Sequence, residues 1–538
     1  MKANDSMKLN YKRTILVGFA FFLISAFWQA YDNAIPLTLT NKFGMSQTAS
    51  GFIMALDNIL AVILLPIFGA VSDRCTHRKG RRTPFILVGT VMACVMLLLL
   101  SFADNAQLKN LDAISEYNEK SLTTIYNSQK DETLNTPEGE EFKLSELYTL
   151  EQFTDIDREI INEDGKEEVN DEYTNYVAPA RQAYASDVSD THKGPLTFFV
   201  ILLFGVLLSM AVFRSPAVAL MPDVTIKPLR SKANAVINLM GTAGGILVLL
   251  LGMTVFNTSA AKNALNSYIG YFGAVIAIML VALVIFMVKV KEPLWARDMK
   301  DQSIALGIDE PEPEKKKKKF FAKREKTENE EPVRKLSGAE IRSLLLILAS
   351  VALWYIGYNA VTSKYSVYAA NVLHKDYNLT LMIAQGAAII TYLPVGFIAS
   401  RVGRKKTILA GVALLATAFA AASFMRSGSP NAVMYVLFAM AGIGWATINV
   451  NSFPMVVELA TGGKVGRYTG FYYAASMAAQ VITPMFSGWL MDKTGAMTVL
   501  FPYAAIFVGL AFVTMFFVRH GDNKPTAKKG LEALDVDD

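Results

Sequence analysis

Apolar runs of about 20 residues recur along this chain, and each is long enough, at about 1.5 Å of rise per residue, to cross a hydrocarbon core of about 30 Å as a helix. They fall near residues 14–39, 48–71, 84–103, 195–220, 233–256, 267–289, 341–362, 379–400, 406–425, 432–454, 467–488 and 496–518. An all-α membrane protein of twelve transmembrane helices is therefore expected. Of the 538 residues, 52% are hydrophobic, so most of the mass belongs in lipid. The first run, Thr14 to Leu39, is too long for a signal peptide and lacks a small-residue cleavage site, so it reads as a retained helix.

Lys and Arg in short loops set orientation. Arg74, Arg78, Lys79, Arg81 and Arg82 follow the second run, Lys227, Arg230 and Lys232 the fourth, and Arg401, Arg404, Lys405 and Lys406 the eighth. Lys464 and Arg467, the Lys315–Lys319 run and Lys528–Lys529 fall on the same side. That side is expected to be the cytoplasm, with both termini there, in a multi-pass protein of the cell membrane. A net charge of +5 is too small to suggest nucleic acid, and those basic residues already serve as topology markers. The two cysteines, Cys75 in a loop and Cys94 inside a span, lie at different depths, so no disulfide is expected.

The chain divides into a first six-helix half, 1–289; a charged linker, 290–340; a second half, 341–520; and a tail, 521–538. Within the first half an acidic stretch, 104–193, falls on the outer side. Its acidity favours solvation, leaving a small folded cap and a disordered loop both open. The linker, with Pro311, Pro313 and the lysine run, reads as a flexible tether.

The halves echo each other. Trp28-Gln-Ala-Tyr31-Asp32-Asn33-Ala34 aligns with Trp354-Tyr-Ile-Gly-Tyr358-Asn359-Ala360, Gly80-Arg81-Arg82 with Gly403-Arg404-Lys405, and Pro222-Asp223 loosely with Pro454 and Glu458. Matches at three corresponding places argue for parallel repeats, with a binding site between them near mid-membrane.

A charge deep in a span costs about 2.5–3.5 kcal/mol on insertion scales, so it is a functional candidate. Asp32, Asp57 and Arg214 lie well away from span ends, and all four histidines lie outside the spans. A proton-coupled carrier built this way must titrate a carboxylate. Asp57, near mid-depth, is the first candidate for coupling, and Asp32 for coupling or substrate contact. Two acids could also coordinate sodium. Aromatic faces and amides suit a sugar; Trp28, Tyr31, Asn33, Asn58, Trp354, Tyr358, Asn359, Trp445, Asn449 and Asn451 are the candidates, with Asp32 and Arg214 beside them.

The segment Gly69-Ala-Val-Ser-Asp73-Arg74-Cys-Thr-His-Arg-Lys-Gly80-Arg81-Arg82-Thr-Pro-Phe-Ile resembles the loop between helices 2 and 3 of the major facilitator superfamily. More narrowly, it is similar to the form found in sucrose transporters and glycoside-pentoside-hexuronide symporters. Arg214 followed by Pro222-Asp223 is a second match. The resemblance implies two six-helix bundles rocking about a central site, and proton-driven sugar uptake, the sugar being a disaccharide or other glycoside. It also implies a gate built on Asp73, Arg74, Gly80, Arg81, Arg82 and Asp223, with Glu458 and Arg467 in the second half. Asp73 is expected to bond Arg81 or Arg82 and to face a helix start in the other half, such as helix 11. An exporter or multidrug antiporter of the same fold, and a transporter-like sensor using the 104–193 insert, are the alternatives. No enzyme signature, resident cofactor or metal is expected, and a monomer is.

Overall fold

The computed structural model describes residues 8–161, 167–226, 229–258, 265–306, 337–457, 459 and 465–521. Its long helices are α1 (Tyr11–Leu37), α2 (Gln47–Asp73), α3 (Thr83–Asn110), α4 (Lys193–Val224), α5 (Arg230–Thr254), α6 (Ile269–Lys289), α7 (Gly338–Tyr368), α8 (Tyr377–Val402), α9 (Arg404–Ala422), α10 (Asn431–Val457), α11 (Val465–Thr494) and α12 (Leu500–Phe516). Among the described residues, ten of these stretches are long and apolar enough by composition alone to cross a membrane; α8 and α11 complete the twelve. Those two carry polar residues onto the space between the halves, Gln385 and Tyr392 from α8 and Gln480 from α11. Lipid offers the backbone no partner, which is why every crossing is helical.

Each half has its own apolar core. Phe27, Tyr31, Phe199, Phe213 and Tyr271 fill the first, and Trp354, Tyr365, Phe438 and Phe501 the second. In the first half α1 packs on α5 and α6, α3 on α4 and α6, and α2 on α4. The second half repeats that scheme, with α7 on α11 and α12, α9 on α10 and α12, and α8 on α10. The pairing is the same in both, as parallel repeats require. Across the halves α2 meets α11, α5 meets α8 and α1 meets α7. The α2–α11 seam depends on Gly51, whose missing side chain lets the helix lie against the Pro484 carbonyl.

Between α3 and α4 the insert is a folded cap. Helix Glu119–Gln129 presents Leu122, Ile125 and Tyr126 on one face, and these meet Phe142, Phe153, Tyr173 and Val177 in a third core. Two short antiparallel hairpins, Leu134–Asn135 with Glu141–Phe142 and Glu159–Ile161 with Glu167–Val169, and helix Ala178–Thr191 complete it. The acids that suggested a solvated loop, such as Glu116, Glu119, Asp131 and Glu132, lie on its surface. Cys75 and Cys94 are both free.

After α6 the linker begins with helix Glu292–Ala305, tied to α1 by an Arg13–Asp298 ion pair at 2.9 Å. The remainder of the linker at 307–336, with the lysine run, the tail from 522, Lys227, Glu458 and Lys464 lie outside the described residues, as does the side chain of Arg467.

Candidate functional site

Two adjoining cavities lie between the halves. The larger, about 480 Å³, is bounded by Trp28, Gln29, Asp32 and Asn33 of α1, Tyr358 of α7, Gln385 and Tyr392 of α8, and Trp445 of α10. The smaller, about 220 Å³, is bounded by Asp57 and Asn58 of α2, Arg214 of α4, Asn359 of α7 and Gln480 of α11. Trp28, Asp32 and Thr362 border both.

The chemistry of the two walls differs. In the larger cavity the Tyr358 and Trp445 rings stack with centroids 3.6 Å apart and planes 2° from parallel, and Tyr355 meets Trp445 edge-on at 5.2 Å. In the smaller, the Arg214 guanidinium sits 5.7 Å from the centre of the Trp28 ring. Asp57 Oδ1 there accepts hydrogen bonds from the Asn58 backbone N–H at 2.6 Å and side-chain amide at 2.8 Å. Among the described residues, Trp28 Nε1 and Asn359 Nδ2 are buried donors with no protein acceptor. Such donors are ready for a polar solute. One half-site is thus aromatic, and the other holds two carboxylates against one cation.

Other sequence candidates sit differently. Tyr31 and Trp354 are wholly enclosed in the cores of their own halves. The repeat therefore matches Trp28 and Trp354 in sequence but not in exposure, while Asp32 and its counterpart Tyr358 both reach the cavity. Asn449 and Asn451 are buried in α10, and Asn451 donates to the Thr447 carbonyl at 3.0 Å. Sequence reasoning missed Gln29 and Gln385, which join the halves across the larger cavity through a 2.7 Å hydrogen bond. A lone glutamine inside each apolar run was the available signal.

At the end bearing the basic loops, Arg82 is buried and bonds Asp73, Ser72 and Asp223, while Arg81 reaches Asp223 at 2.6 Å. Burial lowers the Arg82 pKa, but hydrogen bonds and charge from Asp223 and Asp73 outweigh it and carry the net shift upward. Beneath them, buried Glu292 accepts the backbone N–H groups of Arg81, Arg82 and Thr83 at 2.7, 2.9 and 2.8 Å, capping the start of α3. Glu292 was not anticipated, since the linker read as a tether. Gly80, at φ +115°, faces the Glu292 side chain, so any β-carbon would be both strained and in its way. Arg74 closes the end of α2. Asp73 accepts a hydrogen bond from Arg82 of its own half.

At the end bearing the cap, the halves are joined. Asn41 and Asn371 exchange amide hydrogen bonds at 3.0 and 2.9 Å, and buried Lys364 donates to the Gln47 carbonyl at 2.7 Å. Asp492 accepts the backbone N–H groups of Gln47 and Thr48. Tyr377 of α8 donates to Thr258 at 2.7 Å. The cap, covalently part of the first half, bonds the second through Glu138 to Arg426 at 2.6 Å, Pro137 to the Met497 N–H at 2.9 Å, and Thr174 to His374 at 2.9 Å. Nearby, Lys42 and Asp104 form a fully buried ion pair at 2.7 Å that supports the end of α1.

The chain matches the Major Facilitator Superfamily model over residues 17–110 and 374–535. It is 29% identical over 103 residues to the sucrose transport protein SUT5 of rice, Oryza sativa subsp. indica, covering 18% of this chain and 19% of that protein. It is 38% identical over 74 residues to the human proton-associated sugar transporter A, 14% of this chain and 10% of that one. These matches thus span less than a fifth of the relatives' length. Among solved structures, the xylose transporter XylE from E. coli in its inward open conformation superposes with a TM-score of 0.55 at 14% identity, over 97% of this chain and 99% of that one. At that identity the likeness is one of fold.

Proposed function

We propose that this chain, which matches the Major Facilitator Superfamily model over residues 17–110 and 374–535, is a multi-pass membrane transporter that takes up a sugar together with protons by alternating access. The sugar is a disaccharide or other glycoside. The observation that carries this reading is the pairing of the stacked Tyr358 and Trp445 with the Asp32, Asp57 and Arg214 group across the Trp28 wall. An aromatic face covers the C–H surface of a sugar, and the amides of Gln29, Asn33, Asn359 and Gln385 meet its hydroxyls. The short matches to a sucrose transport protein and a proton-associated sugar transporter favour the same class.

In this mechanism Arg214 can balance only one of the two carboxylates, so the second is neutralised by a proton. Asp57 is assigned coupling, and Asp32, bordering both cavities, senses the sugar. With the basic loops on the cytoplasmic side, the cap end is external and closed, and the cavities belong to an inward-facing state of a monomer in the cell membrane. Rocking would draw the start of α11 toward Asp73 and part Asn41 from Asn371.

Purified protein in liposomes tests this reading. Sucrose added outside should drive proton entry in sodium-free buffer. Proton-driven efflux of apolar dyes without sugar-linked proton movement would replace the symporter with an exporter, and a strict need for sodium would change the coupling ion.

A further inference from the structure

A third cavity, about 370 Å³, lies under the cap and is separate from the two between the bundles. Three bodies wall it: Tyr173 and Gln182 from the cap, Asn41 and Gln47 from the first half, and Asn371 and Asp492 from the second. Five amide side chains, Asn41, Gln47, Asn135, Gln182 and Asn371, are set among a largely apolar lining. Its carboxylate, imidazole and guanidinium side chains already contact other groups of the protein. Asp492 is bound to the start of α2, the His374 ring to Thr174 at 2.9 Å, and buried Arg181 lies against the Tyr173 hydroxyl at 3.5 Å. A space of this size, with amides, an apolar surface and the Tyr173 ring on its walls, suits an uncharged polyhydroxylated molecule of one or two rings.

We propose that this cavity is a second, external sugar site whose occupancy holds the outer side of the transporter shut. Opening that side must separate Asn41 from Asn371 and Asp492 from Gln47, which are walls of the same cavity. The site therefore exists only in the closed arrangement. A ligand that binds one of two states shifts the equilibrium toward it by its differential affinity. Sugar accumulating outside would then slow its own uptake. The choice of sugar as the ligand rests on the function proposed above; the three-walled geometry does not.

Hydrogen–deuterium exchange on the purified full-length protein, with sucrose as the probe, tests this. Sucrose is expected to slow exchange across residues 173–182 in the wild type and equally in Trp445→Ala, a change confined to the central cavity. In Gln182→Ala the half-saturating concentration for that protection should rise about tenfold, the effect of one or two lost hydrogen bonds. The sugar-free exchange of this variant's cap shows whether it is folded. Protection that vanishes in Trp445→Ala, or that Gln182→Ala leaves unmoved, would refute a separate site. Protection of the cap without protection of α1 and α10 would instead remove the central sugar reading, and protection of neither would remove the sugar class from both.

Discussion

Asp492, at the cap end of α11, accepts the backbone N–H of Gln47 at 2.9 Å, so a carboxylate of one half caps the first turn of α2 in the other. Thr48 donates its N–H to the same group at 2.7 Å. A capping carboxylate contributes about 1–2 kcal/mol, which in a two-state carrier is about 5–30-fold in the ratio of states. Asp492→Ala should therefore favour opening at the cap end. Maleimide labelling of Asn41→Cys, in a chain with Cys75→Ser, should speed up by that factor. Equal rates in both backgrounds would mean that Asp492 does not hold the halves together.

The Tyr358–Trp445 stack forms a flat wall of the larger cavity. Replacing either ring by Ala removes apolar cover for a sugar and an aromatic pair worth about 0.5–1.5 kcal/mol. Sucrose binding should weaken about 10–100-fold in Trp445→Ala, measured by equilibrium dialysis, with the transition temperature little changed because the stack faces a cavity. Trp354→Ala, emptying a core position, should do the reverse and chiefly destabilise the fold.

Asp57 and Asp32 separate by what else they touch. Asp57 is bonded to Asn58 and borders only the smaller cavity, whereas Asp32 borders both. Asp57→Asn should keep sucrose exchange down its own gradient but lose accumulation driven by a pH gradient in liposomes. Asp32→Asn should weaken binding as well. If Asp57→Asn still concentrates sucrose, coupling belongs to Asp32.

Much of this architecture was legible because lipid enforces it. Runs of about 20 apolar residues can only be helices there, so ten of the twelve stand out by length and composition among the described residues, and the repeat supplies the places of α8 and α11. The repeat foretold that α1 and α7 would face one cavity, and Asp32 and Tyr358 do. It could not foretell burial, because that depends on the neighbouring helices, and Trp354 is packed into the core of its own half. The cap was illegible for another reason. Its acids mark its surface, while its core rests on a sparse set such as Leu122, Phe142, Phe153 and Tyr173, scattered over fifty residues. Glu292 and Asp492 each work through a distant helix start, a relation no local pattern records.

Glu292 receives three backbone N–H groups and the Thr83 hydroxyl while itself buried. Glu292→Ala would leave those donors unsatisfied at about 1–3 kcal/mol, and Glu292→Gln would lose the charge but keep the shape. Thermal unfolding should show Ala well below Gln, and Gln below wild type. The Arg81 and Arg82 pairing with Asp223 hangs on the same backbone, so both variants should also slow transport. A variant of normal stability and rate would show that Glu292 only fills space.

His374 ties the second half to the cap through Thr174, and its environment keeps it neutral. Burial first, then Arg158 and Lys375, push its pKa down to about 4. Once the cap lets go, the ring returns toward its ordinary value of about 6.5. The undocked form then takes up a proton in a pH range where the docked form does not. Docking is fully supported above about pH 6.5 and is progressively lost as the pH falls toward 4, the penalty being on the order of 2 kcal/mol at about pH 5. Cap exchange with deuterium should accelerate on moving from neutral pH to about 5, beyond the intrinsic chemical change, and His374→Gln should flatten that response. A wild-type cap equally protected at both values would show that the imidazole does not govern the contact.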